Sequence, residues 1–144
     1  MRYFDTHTHV VSPDVERYPR WSLSGRESQW SQDAATPVDE LVRQMDQNGI
    51  EYALVVQALN TYGYDNRYSV DAVAQYPGRL FGVCSIDFAS DGAVTKFSQL
   101  VDACSYVGCR LYRGGRKAPL QADALDDPRT FDAWRFFEER GLPV

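Results

Sequence analysis

The segment Thr36-Pro37-Val38-Asp39-Glu40-Leu41-Val42-Arg43-Gln44-Met45-Asp46-Gln47-Asn48-Gly49-Ile50-Glu51-Tyr52-Ala53-Leu54-Val55-Val56-Gln57 contains a complete helix-to-strand unit. Thr36 can cap a helix, Pro37 suits the first helical position, and Asp39 completes a Thr-x-x-Asp pattern resembling a capping box. Val38, Leu41, Val42 and Met45 recur at helical spacing and fall on one face, and Gly49 ends the helix. The run Tyr52 to Gln57, apolar and partly β-branched, then reads as a buried strand.

The same order recurs on both sides of this unit. A helix is expected from about Asn66 to Tyr76, stopped by Pro77-Gly78 and followed by a strand over Leu80-Phe81-Gly82-Val83-Cys84-Ser85-Ile86. Another is expected from about Gly92 to Tyr106, with Val94, Phe97, Leu100, Val101 and Cys104 on one stripe and Gly108 before a short strand Cys109-Arg110-Leu111-Tyr112. A fourth starts at Asp127-Pro128, aligns Phe131, Trp134 and Phe137, and stops at Gly141, after which Leu142-Pro143-Val144 begins a strand. Upstream, Arg2 to Thr6 supplies the first strand. Strands alternating with helices through short connections give right-handed βαβ units and a parallel sheet. The expected architecture is α/β: four βα units plus the start of a fifth strand, the N-terminal half of a (β/α)8 TIM barrel, which would need roughly 250 residues in full. One incomplete barrel domain over residues 1–144 is therefore the expected organisation.

Composition narrows the function. With 144 residues, 44% hydrophobic and 24% charged, the chain has ordinary globular proportions, which exclude disorder and fibrous repeats. Fifteen Lys and Arg against twenty Asp and Glu, net charge −5, with the basic residues scattered, argue against a nucleic-acid or anionic-membrane partner and for a small-molecule substrate. No apolar run is long enough to span a membrane, and Met1 to Asp5 lacks the pattern of a secretory signal, so a cytoplasmic protein is expected. Cys84, Cys104 and Cys109 match no zinc or redox spacing and read as reduced, buried residues.

Residues 11–35 break the pattern. They lack apolar periodicity, are rich in serine and contain Tyr18, Trp21, Leu23 and Trp30; a connection of this length suggests an ordered lid, with a packing loop as the alternative.

Both histidines of the chain lie in Phe4-Asp5-Thr6-His7-Thr8-His9, at the C-terminal end of the first strand. Strand alternation sends Asp5, His7 and His9 to one face, and Cα atoms about 7 Å apart let two imidazoles converge on one divalent ion. The pattern therefore predicts a metal clamp at His7 and His9, at the strand end where barrel enzymes carry their chemistry. Asp5 could be a further ligand, an acceptor that orients a histidine from outside the ligand set, or an interior partner; the second role is preferred. A catalytic zinc normally takes three protein ligands, and no third histidine exists in the chain.

Other polar residues near strand ends are candidates for substrate contact. Arg110, within an apolar strand, must be paired internally or offer its planar fork to a substrate carboxylate. Gln57 closes the second strand, with Asn60, Asp65 and Asn66 in the loop after it, and Asp87 closes the third. Tyr112 and Arg113 follow Arg110, and Gly114-Gly115 resembles a phosphate-binding turn only faintly.

Several of these segments together resemble a known family. Phe4-Asp5-Thr6-His7-Thr8-His9 with Arg17-Tyr18-Pro19, then Gln44 to Ile50, Val55-Val56-Gln57, Tyr64-Asp65-Asn66, Pro77 to Val83, Gly108-Cys109-Arg110-Leu111 and Gly141 to Val144, are similar in sequence and order to the amidohydrolase-2 group of the amidohydrolase superfamily. Within it, the Arg-Tyr-Pro, Asp-Asn and Gly-x-Arg-Leu segments look most like hydrolases of 2-pyrone-4,6-dicarboxylate and sugar-acid lactones. The resemblance implies a (β/α)8 barrel, a divalent metal at His7 and His9 (zinc, with manganese as the alternative), and water attack on a lactone, ester or amide-like carbonyl. It also implies a substrate carboxylate or carbonyl oxygen held by Arg110, while Gln57 and Asn66 are expected as further substrate contacts from their places at and after the end of the second strand. Nonoxidative decarboxylases of the same group are the alternative within this fold, and an inactive half-barrel that pairs with a second copy is the alternative outside enzymology. The family places further histidines on strands five and six and a proton-accepting aspartate on strand eight, so residues 1–144 alone are expected to be inactive, with open edges that favour self-association.

Overall fold

The computed structural model describes residues 2–23, 25–27, 29–33, 35–103, 105–111 and 125–144. Strands β1 (Tyr3–Thr8), β2 (Ile50–Val56), β3 (Leu80–Cys84) and β4 (Tyr106–Cys109) lie side by side in chain order, and every neighbouring pair is parallel. Helices α1 (Gln29–Asp33), α2 (Val38–Asn48), α3 (Leu59–Tyr62), α4 (Arg67–Gln75), α5 (Ala93–Ala103) and α6 (Phe131–Arg140) occupy the connections and the end of the chain. Sequential parallel order produced by βαβ crossovers is the first half of a (β/α)8 barrel. Beyond β4, the Cys109 N–H donates to the Pro143 carbonyl at 3.1 Å, so Leu142–Val144 runs alongside the sheet where a fifth strand would begin.

The deciding helix forms because its apolar stripe is buried: Val38, Leu41, Val42 and Met45 are all inside. They pack with Ala53, Val55 and Leu80 of the sheet and Ala72 and Val73 of α4. Gly49 adopts φ 68°, where its N–H reaches the carbonyls of Met45 and Asp46 and closes the helix. The N-terminus differs from expectation. Pro37 holds the capping position, no side chain caps it, and Asp39 instead accepts from Gln75 Nε2 at 2.7 Å and the Tyr76 hydroxyl at 2.6 Å. A tertiary contact with α4 outcompetes the local capping geometry.

A second apolar cluster sits under α5 and α6, where Phe97 and Phe137 rings lie 4.2 Å apart and pack with Ile86, Phe88, Tyr106 and Cys109. Tyr106, expected at the end of a helix, belongs instead to β4. Its backbone partner is Gly82, and the missing Cβ there provides the space its ring fills. Cys84 and Cys109 are buried free thiols in this cluster, and burial pushes the Cys84 thiol up. Cys104 lies outside the described residues, as do Tyr112, Arg113 and Gly114-Gly115.

The face of the sheet opposite the helices is less covered. Phe4, Tyr52 and Phe81 line up across β1, β2 and β3 with ring centroids 6.2 and 6.3 Å apart, and Phe4 is 47% exposed.

The described part of 11–35 is bound to the body by many hydrogen bonds. The Val11 N–H donates to the Thr36 carbonyl, the Ser12 N–H to the Tyr62 hydroxyl and the Trp21 N–H to the Thr61 carbonyl. The Tyr18 hydroxyl donates to Asp71 on α4, while its ring lies 4.8 Å from that of Tyr68. Arg20, half-buried, joins the middle of the segment by donating to Glu27 Oε1 at 2.7 Å and to the carbonyls of Ser12 and Ser31. Among the described residues, no helix is long and apolar enough to cross a membrane.

Candidate metal centre

β1 ends in Thr8, whose hydroxyl donates to the Leu54 carbonyl at 2.8 Å and ties the strand end to β2. One residue later His9 places Nδ1 2.8 Å from the Val56 carbonyl. A carbonyl only accepts, so the His9 proton sits on Nδ1 and the lone pair on Nε2. Burial lowers the His9 pKa first of all, with the charges of His7 and Arg110 adding to this and the Val56 hydrogen bond partly opposing it. Burial thus favours the neutral ring, the form that binds a cation.

His7 turns its own Nε2 toward that lone pair. The two Nε2 atoms are 3.4 Å apart, and the rings meet edge to face with centroids 5.0 Å apart. Two nitrogens each about 2.05 Å from a tetrahedral ion lie roughly 3.35 Å from each other. The spacing thus fits two adjacent positions around one divalent ion. Among the described residues, no group of three or more His, Cys, Asp or Glu side chains forms a metal site, so the two imidazoles fit part of a coordination shell.

The other candidate residues distribute unevenly. Asp5 accepts a hydrogen bond from the His7 backbone N–H at 3.0 Å, and so shapes the strand leading into the clamp through the main chain. Arg110 is half-buried just beyond β4, its N–H bonded to the Cys84 carbonyl and its own carbonyl to Ser85 Oγ. Among the described residues its guanidinium has no hydrogen-bonding or ionic partner, and its charge reaches His9. Gln57 and Asn66 lie beneath the strand ends. Gln57 Nε2 donates to the Gly63 and Asp65 carbonyls, and its Oε1 accepts from Ser69. Asn66 Nδ2 donates to the Tyr64 and Ser85 carbonyls, and its Oδ1 accepts from the Ser85 N–H. Both amide nitrogens are fully engaged in holding the loop after β2 against β3.

Of the weaker candidates, Asn60 is exposed, Asp65 is paired with Arg67, which holds its carboxyl below the usual range, and Asp87 accepts from the Ala89 N–H. Asp87 and Asn66 also line a cavity of about 540 Å³ between α4 and α5 that neither histidine nor Arg110 borders. One neighbour of the clamp was not anticipated from sequence. Trp30 of α1 stacks on His9 with centroids 5.8 Å apart and planes 19° from parallel. The aromatic residues of the irregular connection 11–35 were the available signal, without marking which of them meets the histidines.

Parallel strands in barrel order, with a histidine pair at the C-terminal end of the first, define a half-barrel of the (β/α)8 class. The chain belongs to the amidohydrolase family, whose profile of the Amidohydro_2 type matches residues 4–144. Solved structures agree on the fold. A protein of Acinetobacter baumannii described as a probable 2-pyrone-4,6-dicarboxylic acid hydrolase, with citric acid bound, is 24% identical at a TM-score of 0.75 over 99% of this chain and 48% of its own. A Pseudomonas putida protein with a similar assignment is 21% identical at 0.73, over 96% of this chain and 45% of its own. A dihydroxybenzoic acid decarboxylase of Polaromonas sp. JS666, with bound manganese and 2-nitroresorcinol, is 15% identical at 0.67, over 99% of this chain and 48% of its own. The chain therefore spans about half the length of these relatives in structure. No curated protein sequence matches it.

Proposed function

We propose that residues 1–144 carry the first-strand metal clamp and a carboxylate anchor of an enzyme that hydrolyses a lactone or related ester or amide bond of a small carboxylated substrate. The observation that carries this reading is the convergence of His7 Nε2 and His9 Nε2 to 3.4 Å. When bound, a divalent ion, zinc or manganese, supplies Lewis acidity that polarises a carbonyl and acidifies a water. His9 contributes a neutral ring whose lone pair is fixed outward by the Val56 carbonyl. His7 contributes the second nitrogen, on a strand end shaped by the Asp5 carboxylate. Arg110 offers a planar pair of donors to a substrate carboxylate, which fixes orientation as well as affinity. Gln57 and Asn66 support the site by holding the loop after β2. In this reading the described part of 11–35 lies over the mouth, where Trp30 meets His9.

The test uses the protein carrying this chain, assayed with 2-pyrone-4,6-dicarboxylate and with a hydroxybenzoate, reading ring opening and carbon dioxide release separately. Hydrolysis that is lost on chelation, restored by zinc or manganese, and impaired by Arg110→Lys through KM supports the proposal. Carbon dioxide release alone would move it to the decarboxylases, and full activity of His7→Ala or His9→Ala would overturn the clamp.

A further inference from the structure

We propose that Trp30 is a positioning residue for His9, its indole setting the plane in which the imidazole presents Nε2 to a divalent cation. This rests on the metal-clamp reading and extends it to a residue outside the histidine pair. A hydrogen bond from Nδ1 to the Val56 carbonyl fixes one point of the ring but leaves it free to tilt about that bond. The indole, 19° from parallel at 5.8 Å, limits this freedom, and the His7 ring, at 87° and 5.0 Å, meets His9 edge to face.

Trp30 is itself held in place. Its neighbour Ser31 is fully buried, with Oγ bonded to Glu27 Oε1 at 3.1 Å and its carbonyl accepting from Arg20. Arg20 closes the same loop by its ion pair with Glu27 and its bond to the Ser12 carbonyl. The short helix α1 is thus anchored from behind, and the indole reaches forward to His9. Trp30 is 41% exposed, so burial of its own apolar surface is incomplete at a position where a polar residue would be cheaper in solubility. An electron-rich indole face against an imidazole also favours the partial positive charge that the ring acquires on binding a cation.

The experiment titrates cobalt(II) alone into the protein by calorimetry, comparing wild type with Trp30→Phe, Trp30→Ala and His9→Ala, alongside metal-free thermal unfolding of each. Trp30→Ala is expected to weaken cobalt binding about ten-fold, as for other groups that orient a ligand from outside the shell. Trp30→Phe, which keeps a stacking ring, should stay within about three-fold of wild type, and His9→Ala should lose the site. Cobalt should also quench tryptophan emission in wild type, and this quenching should shrink in Trp30→Phe although Trp21 and Trp134 remain. Equal affinity in wild type and Trp30→Ala overturns the positioning role while leaving the clamp intact. A loss that follows metal-free unfolding and is not rescued by phenylalanine overturns it as well. Absence of cobalt binding by wild type would overturn the clamp and the role of Trp30 together.

Discussion

Replacing Gly82 by alanine tests how the second apolar cluster is built. The substitution meets no backbone obstacle, because Gly82 is an ordinary strand residue of β3, where alanine should gain about 0.5–1 kcal/mol over glycine. Its side chain has no room. A Cβ there would stand 2.5 Å from Cε2 and Cζ of Tyr106 and 2.6 Å from Cδ2. Reaching ordinary contact requires the Tyr106 ring to move roughly 1 Å. That ring is 3% exposed, and its hydroxyl shares a hydrogen bond with Ser69 Oγ at 2.7 Å. Overpacking of this kind costs about 1–3 kcal/mol, and straining or losing a buried hydrogen bond adds about 1–3. After the glycine gain is subtracted, Gly82→Ala should destabilise the protein by about 1–5 kcal/mol and lower Tm by roughly 3–15 °C. Urea unfolding followed by circular dichroism measures the cost, with an unchanged slope showing that the two-state transition persists. Tyr106→Val removes the three clashing ring atoms, so in that background Gly82→Ala should be neutral or mildly stabilising. Equal costs in the two backgrounds, or a wild-type-like Gly82→Ala protein, would refute the reasoning.

Two further outcomes concern the segment 11–35. Burial, reinforced by the Asp71 carboxylate, raises the Tyr18 pKa from 10.0 to about 12. The folded state therefore prefers the protonated hydroxyl, so this contribution to stability is full below pH 10 and is lost as pH rises toward 12. Tyr18→Phe should flatten the decline in stability over that window, and an unchanged slope would show that the hydroxyl does not couple to folding. Arg20→Met should leave Glu27 without its ion-pair partner, with the Ser31 hydroxyl still donating to it, and free the carbonyls of Ser12 and Ser31. Limited proteolysis should then cut between residues 13 and 33 sooner than in wild type, whereas an unchanged digestion pattern would mean that the anchoring lies elsewhere.

Local sequence patterns were enough to read the architecture and the pairing of His7 with His9 at one strand end. Val38, Leu41, Val42 and Met45 repeat at helical spacing, and Tyr52 to Val56 forms a strand, because both signals are local: each depends on residues a few positions apart. His7 and His9 are two apart, but β1 ends at Thr8 and its register with β2 shifts between Asp5 and Thr8, so the Val56 carbonyl is needed as well to aim His9 at His7. Tertiary structure decided which long-range partner each polar or aromatic group would take. Asp39 bonds across to α4 and leaves the cap of α2 unfilled. Tyr106 joins a strand because Gly82, distant in sequence, leaves a space for its ring. Gln57 and Asn66 turn inward because buried backbone groups of the loop after β2 and of Ser85 need partners, a demand that strand-end position does not reveal. Trp30 meets His9 from a loop in which Arg20 gathers the carbonyls of Ser12 and Ser31 and the carboxylate of Glu27 around one guanidinium. Periodicity carries information over a turn or a pleat, whereas these contacts are chosen by packing and hydrogen-bond satisfaction among segments that meet only once the sheet has formed.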